Sequence, residues 1–204
     1  MTSPDSRPAS RAILLPLLLV VAAAAFRWAK LKGLVHLELL ENFSPWMALA
    51  FTGTLVFSKR VSFFAIPLLL VLIDATSTGA GVLHWEALVV YGCFAAAALI
   101  ASRWRGQLGL LGSLLGVVGC SLAFYLITNT IAWISNPVSA YAHDFSGWVQ
   151  ALTTGEPGHL PSLWFLRNSL LSDLAFSLLL LAAYNTEAAF RQQQRIPLRQ
   201  PLAA

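Results

Sequence analysis

Leu163-Trp164-Phe165-Leu166-Arg167-Asn168-Ser169-Leu170-Leu171-Ser172-Asp173-Leu174 is a stretch of membrane-like hydrophobicity broken by an arginine, an asparagine and an aspartate. A charged side chain near a bilayer centre costs about 2.5–3.5 kcal/mol on insertion scales, so it faces a protein interior or a wet cavity and finds a partner there. The stretch therefore belongs to a membrane helix packed against others, its polar side turned inward. At about 100° per residue, Asn168, Ser169, Ser172 and Asp173 share one arc, opposite Leu170, Leu171 and Leu174. Arg167 lies off that arc on the leucine side, near the helix end, where it can snorkel to the surface or reach a neighbouring helix.

The rest of the chain agrees. Of 204 residues, 57% are hydrophobic and 11% charged, and the mean hydropathy is +0.70, outside the range of ordinary soluble domains. Six apolar runs are expected to form helices: Ile13–Ala29, Ser44–Ser58, Val61–Ile73, Val82–Ser102, Gln107–Ser135 and Pro161–Ala189. The fold class is thus all-α, an integral membrane bundle of six transmembrane helices. It forms a single transmembrane domain over residues 1–204, with residues 1–12 and 191–204 as cytoplasmic tails. The basic start followed by Ala22 to Ala25 also fits a cleaved signal peptide. A retained helix is favoured because everything that follows is membrane-like too. The second run opens through Asn42-Phe43-Ser44-Pro45, a polar cap followed by proline. It and the third are short, since fifteen residues of helix reach only about 22 Å, which implies local bilayer thinning or screening by neighbours.

Basic residues set the orientation. With the N-terminus inside, nine of them (Arg7, Arg11, Lys59, Arg60, Arg103, Arg105, Arg191, Arg195, Arg199) are cytoplasmic, and Arg27, Lys30 and Lys32 lie outside. Both termini are then cytoplasmic. The basic residues serve as orientation signals at the ends of apolar runs, so the net charge of +4 does not point to nucleic acid. Asn136 to Leu160 becomes a long outer loop without Lys or Arg, suited to a lid. Cys93 and Cys120 fall inside apolar runs with no metal-ligand or disulfide spacing.

A second polar face supports a site. Ser121, Tyr125, Asn129, Trp133 and Asn136 recur at spacings of four and three along the fifth run, with Thr128 beside them. Meeting the sixth-helix arc, they would line a site with amides, hydroxyls and rings, open outward. Asp74 and Asn42 stand at a similar level, and Arg167 with Asp74 is the expected ion pair. Candidate substrate contacts are Asn42, Asp74, Asn129, Trp133, Arg167, Asn168 and Asp173. The competing reading is that such groups only bond helix to helix. It is favoured for Ser169, Ser172 and Thr128 alone, while Trp133, Trp148 and Trp164 suit an interfacial aromatic belt. No GxSxG, HExxH or Walker glycine loop is present, so no enzyme activity, cofactor or metal is expected. His84, His143 and His159 read as solvated surface groups.

Asn42-Phe43-Ser44-Pro45, Asp74, Tyr91-Gly92, Leu126-Ile127-Thr128-Asn129 with Trp133, and Phe165 to Leu174 resemble, in order and spacing, an uncharacterised bacterial membrane family classed as transport proteins. The resemblance runs from about residue 40 to 180, and its last block is the most specific. That family is similar to the S components of energy-coupling-factor vitamin transporters, six-helix proteins that bind a small molecule beneath their outer loops. The resemblance implies a bacterial inner-membrane protein that takes a small polar or vitamin-like substrate beneath the loops at Lys30–Glu41, Asp74–Leu83 and Asn136–Leu160. It also implies an energy-coupling ATPase module as partner, docked through small residues such as Ala25 and Ala29 of the first helix. The chain departs from the family pattern at Ser169 and Ser172, where threonine and glycine are usual. It also departs at Trp148-Val149-Gln150, in a loop that lacks the family's cysteine-tyrosine pair.

Overall fold

The computed structural model describes residues 13–35, 43–57, 65–79, 84–136 and 140–198. Among these it is all-helical, with seven helices rather than the six expected. They are α1 (Leu14–Leu31), α2 (Trp46–Val56), α3 (Ala65–Thr78), α4 (Trp85–Arg103), α5 (Leu110–Ser135), α6 (Phe145–Leu152) and α7 (Ser162–Phe190). Four of them, α1, α4, α5 and α7, are long and apolar enough to cross a membrane, whereas α2 and α3 are shorter apolar helices. The extra helix is α6, which lies inside the long loop expected between the fifth and sixth runs. It is short because a sharp backbone turn follows it, with Gly155 at φ 73° and Gly158 at φ 87°.

Helix α2 explains how a short segment can sit at the centre of such a bundle. From Trp46 to Val56 its residues are buried, and Ala48, Leu49 and Ala50 are wholly so. It packs against α3, α4, α5 and α7, which take the place of lipid around it. Two glycines permit this approach. A Cβ on Gly116 of α5 would fall 2.3 Å from the Phe51 ring, and one on Gly53 would fall 2.8 Å from Ile66 Cδ1 of α3. Its middle turn, Leu49–Gly53, is a π-helix, a widening that in other proteins frequently accompanies functional sites.

The long helices bury one side and expose the other. Leu14, Leu17, Leu18 and Val21 of α1 and Leu111, Leu115, Leu122 and Leu126 of α5 are exposed, which suits contact with acyl chains. Helix α1 ends where Gly33 adopts φ 71°, letting Leu34 N–H reach back to Ala29 O at 2.9 Å. The chain after α7 folds back: Leu110 N–H donates to Pro197 O at 2.8 Å, and Asn185 exchanges two hydrogen bonds with Ile196.

Helix α7 runs the length of the bundle and carries two buried carboxylates. Asp173 Oδ1 accepts the Ala48 N–H at 3.0 Å, and Glu187 Oε2 accepts the Leu15 N–H at 2.8 Å. Both donors belong to the first turns of other helices, whose amide groups have no partner within their own helix. Pro45 precedes α2 and Ile13 precedes α1, and neither offers a side-chain cap. Two carboxylates of one helix thus cap two others, with the favourable sign for a helix N-terminus.

Candidate functional site

A cavity of about 360 Å³ lies in the half of the bundle nearest α6. Its wall is aromatic and apolar, with Trp46 and Met47 from α2, Phe94 from α4, Phe124 from α5 and Phe165 from α7. Phe94 and Phe124 stack with centroids 5.2 Å apart. Its polar groups come chiefly from α5 and α7: Ser121, Tyr125, Thr128, Asn129, Ser169 and Asp173. Asp173 stands eleven residues into α7, about 16 Å from its start at 1.5 Å per residue, and Ser121 faces it at a matching depth in α5. Asp173 Oδ2 accepts the Ser121 hydroxyl at 2.7 Å. That hydroxyl also lies 2.9 Å from Val117 O, so its single proton is shared between two acceptors. Asp173 is 3% exposed.

Arg27 forms the remaining charged part of the wall. Its Nε and Nη2 donate to Asp74 Oδ1 and Oδ2, each at 2.8 Å, a bidentate pair of the strongest kind. Tyr91 OH donates to Asp74 Oδ2 at 3.1 Å, and the guanidinium carbon sits 5.5 Å from the Trp46 ring centroid. This cluster ties α1, α2, α3 and α4 together at the α6 end.

The expected pair of Arg167 with Asp74 is not formed. Helix α3 packs on α1 and α4, which gives Asp74 to Arg27. Arg167 instead lies 4.5 Å over the Trp164 ring and donates from Nε and Nη2 to Asn168 Oδ1. Of the candidate contacts, Asn129 and Asp173 line the cavity. Asp74 stands behind Arg27, and Asn168 is buried beneath Arg167. Trp133 donates its indole N–H to Ala142 O at 2.8 Å and meets the His143 ring edge-on, so it holds the loop and does not line the cavity. Asn42 lies outside the described residues. Arg27, Trp46, Phe94 and Phe165 are lining residues that helix-by-helix projection did not single out, although an arginine among the apolar residues of the first run was a signal.

Helix α6 hangs from α5 at this end. Tyr125 of the cavity wall donates its hydroxyl to Leu152 O, Trp148 donates to Thr130 Oγ1 at 3.0 Å, and Trp133 adds its bond to the preceding loop. Asp144 caps α6, accepting from Gly147 N–H at 2.8 Å and Ser146 Oγ at 2.7 Å. These bonds, Gly147's first, hold its carboxyl below the usual carboxylate range. Burial and then the nearby Glu156 charge push the Tyr141 hydroxyl upward. Among the described residues no group of three His, Cys, Asp or Glu is placed to hold a metal ion.

No curated protein and no solved structure matches the chain. A family model described as a family of unknown function (DUF6580) matches residues 7–196. Since that span takes in nearly the whole bundle, the chain belongs to this family.

Proposed function

We propose that this protein is a bacterial inner-membrane protein that binds, and takes part in transporting, a small polar or vitamin-like molecule. In this reading both termini are cytoplasmic, α6 and its loop lie outside, and α2 and α3 complete the crossing of the bilayer in the company of the four longer helices. The observation that carries it is a cavity of about 360 Å³ within the bundle, walled by aromatic rings and floored by a buried carboxylate. Cavities of this size, mostly apolar with a few convergent polar groups, are typical of small-molecule sites, and an ionisable residue within a membrane segment is by default a functional group. The resemblance to S components adds an energy-coupling ATPase module as the proposed partner.

A specific observation favours a second reading, a structural protein without ligand. Both Asp173 oxygens are engaged within the protein, by Ala48 and Ser121, as a helix lock would require. The two readings part on one experiment, a thermal-shift panel of vitamins and related metabolites on the purified protein. At one hundred times its dissociation constant, a ligand that binds only the folded state stabilises it by about 2.7 kcal/mol. A binding protein gives at least one such shift, weakened by Asn129→Ala. If no ligand stabilises the protein and Asn129→Ala changes only its stability, the binding reading fails.

A further inference from the structure

The hydrogen bonds of the cavity wall, taken one at a time, define what the cavity offers a guest. The Thr128 hydroxyl donates to Phe124 O at 2.9 Å, and Asn129 Nδ2 donates to Tyr125 O at 2.9 Å. The Tyr125 hydroxyl donates to Leu152 O, and the Ser121 proton is held between Val117 O and Asp173. The Thr128, Tyr125 and Ser121 hydrogens are spent inside the protein while oxygen lone pairs remain on those hydroxyls, on Asn129 Oδ1 and on the carboxylate, each oxygen of which accepts more than one bond. On the donor side Asn129 keeps one N–H, and the buried Trp46 indole N–H has no partner among the described residues. Acceptors outnumber donors on the wall.

Charge points the same way. The two charged residues lining the cavity are Arg27 and Asp173. Arg27 is neutralised by its bidentate bond to Asp74. Among the described residues the ion pairs are Arg27 with Asp74 and Arg191 with Glu187, so Asp173 has no cationic side chain as counter-ion. The N-terminus of α2 supplies about half a positive charge through the Ala48 amide, which balances an ionised Asp173 only in part. Trp46, Phe94, Phe124 and Phe165 add ring faces, which attract cations and apolar bodies alike.

We propose that the ligand is a small organic cation that donates hydrogen bonds, a protonated amine or amidine on an apolar or aromatic body, with Asp173 as its counter-ion. This rests on the binding reading above and narrows it. The ammonium group sits at the Asp173, Ser121 and Asn129 end, and the body lies among the rings.

The test is isothermal titration of the full chain in lipid nanodiscs with four probes of similar size: 2-phenylethylammonium, phenyltrimethylammonium, 2-phenylethanol and phenylacetate. The expected order begins with 2-phenylethylammonium, at least tenfold tighter than 2-phenylethanol, with the donor-less quaternary cation between them and phenylacetate weakest. Asp173→Asn keeps the local bonding, since its Oδ1 accepts from Ala48 and its Nδ2 donates to Ser121, whose hydroxyl then turns to Val117. That variant should fold and lose the tenfold preference. The inference about charge is overturned if 2-phenylethanol or phenylacetate binds as tightly as the amine, or if Asp173→Asn leaves the preference intact. Saturable binding of the neutral or anionic probe that Asn129→Ala abolishes would leave the binding reading standing without the cation. If no probe binds and the metabolite panel is silent, both fall.

Discussion

At the scale of single residues, Asp173 and Arg27 divide the work at the cavity. Asp173 satisfies a buried amide, and its truncation leaves that amide without a partner. Asp173→Ala should therefore destabilise the protein by about 1–3 kcal/mol, whereas Asp173→Asn, which keeps an acceptor and gains a donor, should cost about 1 kcal/mol or less. Chemical unfolding of the two variants in the same detergent checks this, and equal losses would contradict the proposed bonding. Arg27 and Asp74 are coupled more strongly than exposed ions because Asp74's side chain is only 12% exposed. Either alanine variant alone should cost about 2–3 kcal/mol, discounted from the value for fully buried pairs because Arg27 is partly open to solvent. The double variant should cost less than the sum of the two, as a double-mutant cycle would show. Asp173 was legible in the sequence because its cost in a membrane segment marks it. Arg27 was not, because a basic residue near a helix end reads as an orientation signal, and the carboxylate that claims it lies 47 positions away.

Among the elements, α6 rests on two local devices. A Cβ on Gly147 would fall 1.8 Å from the Ala142 carbonyl oxygen, and backbone cannot yield as a flexible side chain does. Gly147→Ala should cost about 1–3 kcal/mol and should release α6 before the rest of the bundle, seen as faster amide exchange confined to residues 140–152. The other device is the Asp144 cap. Its folded pKa lies below the ordinary value of about 3.9, so in falling pH the unfolded loop takes up the proton first. The cap's contribution is complete above that ordinary value and is lost as pH falls through the lower folded value. Exchange in α6 should accelerate across that acid window, and Asp144→Asn should blunt the change. In the sequence this helix was legible only as a lid-like loop. Eight residues ahead of a glycine turn give too short a period to distinguish a helix from a loop, and the bonds to Tyr125, Thr130 and Trp133 that hold it are tertiary.

For the molecule as a whole, the long helices were legible because about twenty apolar residues leave few alternatives to a helix. The expected runs at Val82–Ser102 and Pro161–Ala189 begin and end within three residues of α4 and α7. Of the polar stripes on the fifth and sixth runs, Ser121, Asn129 and Asp173 line one cavity, whereas Trp133, Asn136 and Asn168 do not. Hidden from the sequence was the central place of α2. Trp46 to Val56 is no more apolar than its neighbours, and its burial follows from how the other helices surround it. The capping role of Glu187 was likewise hidden, since the amide it caps belongs to residue 15.

The two caps carried by α7 bear on how the protein is made. A ribosome delivers α1 and α2 first and α7 last of the seven helices, so both early helices leave the ribosome with first-turn amides whose partners do not yet exist. In lipid such groups find no water to replace those partners. For a bundle inserted in a membrane, the chain before its last helix is therefore expected to depend on insertion and quality-control factors. Chains halted after α5 should be degraded much faster than complete ones, and supplying α7 as a separate segment should lengthen their half-life in a pulse-chase measurement. Glu187→Ala in that segment should remove part of the rescue.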